Sequence, residues 1–205
     1  MGGVRGSAGS SPDFSEDLAL PIQANRLTGV ILAGGKSSRF GSDKAELFLP
    51  KILRRMRGIF PEVVIITNAP EKFRRCAVPL LTDEVPFQGP AGGILTALKL
   101  LKTDLFVVAC DLPRLSAEVI LNLLEKDDGS AFVVYQGEKG IEPLCAIYRA
   151  SLLPLLESRF KAGRLDLHSL VEESGISTKI IPISPPLQEA LRNVNRSEEL
   201  ENSSK

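Results

Sequence analysis

Three stretches of the chain are apolar or small at almost every position: TGVILA (28–33), EVVIIT (62–67) and DLFVVAC (104–110). A strand with one wet face alternates apolar and polar side chains. A run without alternation must be covered on both faces, as in a parallel sheet with helices above and below. The intervening segments read as helices. KILRRMRGIF puts Ile52, Met56, Ile59 and Phe60 on one helical face, and ILTALKLL repeats Ile94, Leu98 and Leu101 at the same spacing. Ser116 is placed to cap AEVILNLLEK. Shorter strands are expected at 78–83, 130–136, 144–149 and 177–183, with helices near 150–160 and over 164–174. The alternation predicts an α/β fold: a single-domain, doubly wound, mostly parallel sheet with helices on both faces.

Charge and cysteine usage narrow the partners. Lys+Arg and Asp+Glu number 25 each, so any anion site is local and no nucleic-acid partner is expected. Cys76, Cys110 and Cys145 show no CxxC spacing, which fits a reducing, cytoplasmic setting. His168 is the one histidine, so a multi-histidine metal site is excluded; it is expected on a helix in a structural role. Residues 1–26 are rich in Gly, Ser and Pro and read as a flexible tail, 27–200 as the domain, and 201–205 as a frayed end. No run is long and apolar enough to suggest a membrane span.

The first strand runs into AGGKSSRFGSDK (33–44). In doubly wound sheets, ligands bind beyond the carboxyl ends of strands. Gly34 and Gly35 let the main chain approach a ligand with its amides facing an anion, while Lys36, Arg39 and Lys44 add charge and Ser37 and Ser38 add hydroxyls. Together they form a credible phosphate cradle. It is not a P-loop, because Val30 stands where the first glycine belongs, and it lacks the G-x-G-x-x-G dinucleotide fingerprint. Arg54, Arg55, Arg57, Arg74 and Arg75 read as solvated faces.

LAGGKSSRFGSDK closely resembles the L-A-G-G-x-S-x-R-[MF]-G-x-D-K signature of the molybdenum cofactor guanylyltransferases, within the molybdopterin nucleotidyltransferase family. Further segments resemble the family's in the same order: VVIITN ending at Asn68, TDEVPFQGPAGGI, VVACDLPRL, EPLCAIY and NVNRSEEL. The resemblance spans about residues 28–200. It implies a Rossmann-like nucleotidyltransferase that moves GMP from GTP to the terminal phosphate of molybdenum-molybdopterin, releasing pyrophosphate, with Mg²⁺ as cofactor. It also implies transient contacts with molybdenum-insertion or acceptor proteins.

The resemblance further implies that Leu32, Ala33, Gly34 and Gly35 line the nucleotide, and that Lys44 and Arg39 meet its phosphates. Asp111, at a strand end, is then the Mg²⁺ ligand; Mg²⁺ often takes only one or two protein carboxylates. Asn68 and Asp83 then touch base or ribose, and Asn193 and Asn195 help hold the acceptor. As plain residues, Asn68, Asp83 and Asp111 also suit turns. The family usually continues after the lysine through a short strand and a Gly-Lys-Pro-Leu turn into a helix. Here AELFLPKILRRMRGIF is shorter and lacks that glycine, so either Pro50-Lys51 replaces the turn or a piece is absent. Two alternatives stay open: a cytidylyl- or sugar-nucleotidyltransferase, and a non-catalytic nucleotide-binding relative.

Overall fold

The computed structural model describes residues 22–34, 44–83 and 88–192. Strands β1 (Leu27–Leu32), β2 (Glu62–Ile66), β3 (Leu80–Leu81), β4 (Asp104–Ala109), β5 (Phe132–Gly137), β6 (Gly140–Tyr148) and β7 (Thr178–Pro182) form one sheet. Their order is β3-β2-β1-β4-β6-β5-β7. The pairs β1–β2, β1–β4, β2–β3 and β5–β7 are parallel. Among the described strands only β6 runs against its neighbours. The tight turn between Gly137 and Gly140 explains this, because a parallel partner needs a crossover connection of a dozen residues or more.

Six helices accompany the sheet among the described residues: α1 (Lys44–Arg57), α2 (Pro70–Phe73), α3 (Gly89–Leu101), α4 (Ala117–Glu125), α5 (Leu153–Lys161) and α6 (Pro185–Ala190). Ile31, Ile65, Phe106 and Val133 pack with Ile52 and Met56 of α1, Val119 of α4 and Leu187 of α6. Val30, Leu32, Val64 and Val107 pack on the other face with Ile94 and Leu98 of α3 and Leu156 of α5. Neighbouring residues such as Val30 and Ile31 therefore enter opposite cores. That is why the central runs cannot alternate with polar residues. Gly29 is small for a packing reason: a Cβ there would lie 2.9 Å from Met56 Cε and 3.1 Å from the Phe60 ring. Ser116 caps α4 as its sequence suggests, its Oγ accepting from the Val119 N–H at 3.3 Å. No helix among the described residues is long and apolar enough to cross a membrane.

The structure departs from the expectations in three places. Ile22–Arg26, expected in the tail, form a 3-10 turn with Ala24 fully buried. The helix expected over 164–174 is only a 3-10 turn, His168–Glu172, and His168 is exposed. Here side chains compete with the helix ladder. The Asp166 carboxylate accepts from the His168 and Ser169 N–H groups at 3.1 and 3.0 Å. Buried Arg159 donates to the Asp166 carbonyl at 2.5 Å, to Ser169 Oγ at 2.6 Å and to Glu173.

The third departure is at Pro50, which lies inside α1 rather than in a turn. A proline there removes the amide that would bond to the Glu46 carbonyl, at a cost of about 3 kcal/mol. The helix persists because Phe48, Leu49, Ile52, Leu53 and Met56 form one buried stripe running past it, each side chain contributing about 1.5–3 kcal/mol. Pro50 itself is exposed. Pro50→Ala is therefore expected to stabilise the protein by about 2 kcal/mol, the helix gain less the entropy returned to the unfolded chain. Chemical denaturation would register this as a higher midpoint at unchanged slope. A lower midpoint would contradict a helix through position 50.

Candidate active site

The carboxyl edge of the sheet carries the site. Main-chain bonds continue past the strand ends: Ala33 N–H to the Ile66 carbonyl at 2.8 Å, Thr67 N–H to Leu81 at 2.9 Å, and Cys110 N–H to Leu32 at 3.0 Å. Leu32 pairs with both Ile66 and Ala109, and Ile66 pairs with Leu81. Carried two residues further, this register puts Asp83, Asn68, Gly34 and Asp111 in one row across β3, β2, β1 and β4. With strands about 4.8 Å apart, the row spans about 14 Å, room for a nucleotide from base to phosphates. The chain visits β2 and β3 on one side of β1 and then crosses to β4 on the other. That makes the β1–β4 edge the switch point where such sheets bind ligands. Gly34 and Asp111 flank it.

At the far end of the row, Asn68 Nδ2 donates to Asp83 Oδ2 at 3.0 Å. Asn68 Oδ1 and Asp83 Oδ1 remain buried and have no hydrogen-bond partner among the described residues. Two buried acceptors side by side are costly unless something donates to them. Burial raises the Asp83 carboxyl above the usual carboxylate range, and the bond from Asn68 opposes that rise.

Space at this end is kept by Gly93, in the first half of α3. A Cβ there would stand 3.1 Å from Leu32 Cδ2, 3.3 Å from Ile66 Cγ2 and 3.5 Å from Asp83 Oδ1. From the sequence, GPAGG (89–93) opens a helix whose backbone amides could approach the base or sugar, or is an ordinary helix start. Gly92 and Gly93 lie within the helix, where each costs about 1 kcal/mol relative to alanine, and that adjacent pair was the signal for a close approach. Gly34 is exposed, and among the described residues a Cβ there would meet nothing nearer than Asn68 Nδ2 at 4.0 Å.

Of the expected site residues, Leu32 and Ala33 are buried where β1 ends, and Gly34, Asn68, Asp83 and Asp111 share the edge. Lys44 is the first residue of α1. That helix is about 21 Å long, close to the roughly 20 Å of six-residue β1. Its end at Arg57 precedes the start of β2, so Lys44 lies at the carboxyl edge, the same edge as Asp111. Gly35, Arg39, Asn193 and Asn195 lie outside the described residues, as does the Lys44 side chain.

A doubly wound sheet with an exposed glycine, buried acceptors and a carboxylate along its carboxyl edge defines a nucleotide-binding α/β protein. Residues 29–176 match the model of the MobA-like NTP transferase domain. The chain belongs to that family and is a nucleotidyltransferase. It is 35% identical over 179 residues to a probable molybdenum cofactor guanylyltransferase of Carboxydothermus hydrogenoformans, covering 82% of this chain and 90% of the relative. It is 34% identical over 180 residues to one from Aquifex aeolicus, covering 84% and 88%. The fold superposes on a putative protein of Aquifex aeolicus with a TM-score of 0.74 at 29% identity, covering 83% of this chain and 94% of that one. Molybdopterin-guanine dinucleotide biosynthesis protein A of Archaeoglobus fulgidus, at 20% identity and TM-score 0.70, shares the fold over 86% of this chain and 96% of its own.

Proposed function

We propose that this protein transfers GMP from GTP to the terminal phosphate of molybdenum-molybdopterin, giving the guanine dinucleotide form of the cofactor and pyrophosphate. The single observation that carries the choice of nucleotide is the acceptor pair formed by Asn68 Oδ1 and Asp83 Oδ1. Guanine presents two adjacent donors, N1–H and the N2 amine, which such a pair can accept. Cytosine offers one donor, its N4 amine, beside the N3 and O2 acceptors that would face those oxygens unfavourably.

From that end the ribose and triphosphate run along the row to Gly34 and Asp111. An oxygen of the acceptor's phosphate attacks the α-phosphorus in line. The new O–P bond forms as the bond to the α–β bridging oxygen breaks, and pyrophosphate departs with that electron pair. No protein base is required, because the second pKa of a phosphate monoester is about 6. Charge grows on the leaving oxygens. The main-chain amides at Gly34-Gly35, the Arg39 guanidinium and the Lys44 ammonium are the groups to stabilise it.

Asp111 is the residue to hold Mg²⁺. No cluster of three or more His, Cys, Asp or Glu able to cage a metal occurs among the described residues. A single carboxylate beside a triphosphate suits an ion that keeps waters and shares phosphate oxygens. When bound, Mg²⁺ supplies charge neutralisation on the triphosphate. That Cys76, Cys110 and Cys145 form no disulfide supports a cytoplasmic setting, and the handing on of the product supports transient contact with insertion or acceptor proteins.

Two measurements test the proposal. GTP with Mg²⁺ is expected to raise the melting temperature more than CTP does, since a ligand stabilises in proportion to ln(1 + [L]/Kd). Adding molybdenum-molybdopterin is expected to release pyrophosphate. Protection by CTP alone overturns the choice of nucleotide. GTP binding with no pyrophosphate release under these conditions leaves a binding protein rather than an enzyme.

A further inference from the structure

The row at the carboxyl edge does not stop at Asp111. Strands β4 and β6 pair antiparallel from Leu105↔Tyr148 to Val108↔Cys145. Val107, Ala146 and Val134 stand side by side across β4, β6 and β5, so Gly137 at the end of β5 lies level with Cys110, next to Asp111; β6 is irregular between Ile141 and Ala146, where Glu142 sits. This glutamate is half-buried. Its carboxylate lies over the next strand. A Cβ placed on Gly137 of β5 would stand 3.4 Å from both Glu142 Oε1 and Gln188 Nε2 of α6. A glycine thus keeps open a small cradle walled by a carboxylate and an amide. The cradle lies two strands from Asp111, about 10 Å away, on the side opposite Asp83. Lys139 and His168 are the nearby basic side chains, His168 Nδ1 standing 3.9 Å from where a Gly140 Cβ would be.

We propose that Glu142, with Gln188, reads the ring edge of the acceptor substrate and so determines acceptor specificity. This rests on the transfer reaction proposed above. The acceptor's ring is a 2-amino-4-oxo pteridine, whose N3–H and 2-amine form a donor pair like that of guanine. A carboxylate accepts from both at once, and the Gln188 amide can donate to the 4-oxo group. With the ring over Gly137, the acceptor's phosphate points back toward Asp111 and the α-phosphorus. The two substrates then lie head to head along one sheet edge, each held at its far end by a half-buried carboxylate.

The test uses the full chain and 6-hydroxymethylpterin phosphate, whose fluorescence reports binding. Glu142→Gln is expected to weaken pterin binding about tenfold or more, the effect of losing a charge-assisted bond. Gln188→Ala is expected to weaken it a few-fold. GTP affinity, measured by calorimetry, stays unchanged in both variants. Equal pterin affinity in wild type and Glu142→Gln, no pterin binding by the wild type, or a parallel loss of GTP affinity would overturn the assignment. Pyrophosphate release separates this inference from the function it rests on. Pterin binding that depends on Glu142 without release sinks the transferase reading alone. Release at an unchanged acceptor KM in Glu142→Gln sinks the subsite alone.

Discussion

Asp111→Asn is expected to lower the rate of pyrophosphate release at saturating GTP and acceptor by about a thousandfold. The substitution keeps the shape of the side chain and removes its charge. Asp111 stands at the end of β4, across the switch point from Gly34, where the triphosphate would lie. Without that carboxylate, no other carboxylate among the described residues stands at the β1–β4 edge to hold Mg²⁺, and charge on the leaving pyrophosphate is less well neutralised. GTP binding measured without Mg²⁺ is expected to change little, whereas the strengthening of GTP binding by Mg²⁺ is expected to disappear. The folded core should be intact, since Asp111 is only partly buried. If the variant turned over at the wild-type rate, Asp111 would be a turn residue with no part in the chemistry.

Asp83→Asn is expected to weaken GTP binding about a hundredfold, with little effect on CTP. A hydrogen bond to a charged group contributes about 1.5–3 kcal/mol, and a hundredfold corresponds to about 2.7 kcal/mol. The amide would also turn a donor toward guanine's own donors. This prediction has a pH signature. Burial raises the Asp83 carboxyl, so guanine loses its charged acceptor at a higher pH than an ordinary carboxylate would allow. GTP affinity should fall as pH drops through that raised value, and the fall should be absent in Asp83→Asn.

The stability of the unliganded protein runs the other way. Between the unfolded and folded pKa values the folded state binds more protons at this site, so its stability falls as pH rises through that window. Asp83→Asn removes that dependence, and the unliganded variant should melt higher than wild type above the window. GTP binding at wild-type strength in Asp83→Asn at a pH above that raised value would end the assignment of Asp83 to guanine.

The fold was largely legible in the chain because burial on two faces leaves a plain mark. TGVILA, EVVIIT and DLFVVAC had no polar alternation, and each became a central parallel strand. The reversed strand β6 was less visible, since only the short turn at Gly137–Gly140 signals it. Local rules failed where side chains override propensity. The apolar stripe of α1 carries the helix through Pro50, and Asp166 with Arg159 holds 164–174 out of a regular helix.

Parts of the site were legible as single residues. Gly34, Asn68, Asp83 and Asp111 each follow a strand, and strand ends are where doubly wound sheets bind ligands. Their roles were not legible one at a time. The Asn68–Asp83 bond joins positions fifteen residues apart. It exists because the parallel register of β2 and β3 sets their next residues side by side.

The amino-acid sequence by itself determined which segments are strands, that both faces of the sheet are covered, and that polar groups gather where β1, β2, β3 and β4 end. Those features follow from burial and from local chain chemistry. The tertiary structure alone decided that Asp83, Asn68, Gly34 and Asp111 stand in one row, and that Gly93 leaves Asp83 room. Strand order and register are set by packing between segments far apart in the chain, and no local pattern encodes which strand ends become neighbours.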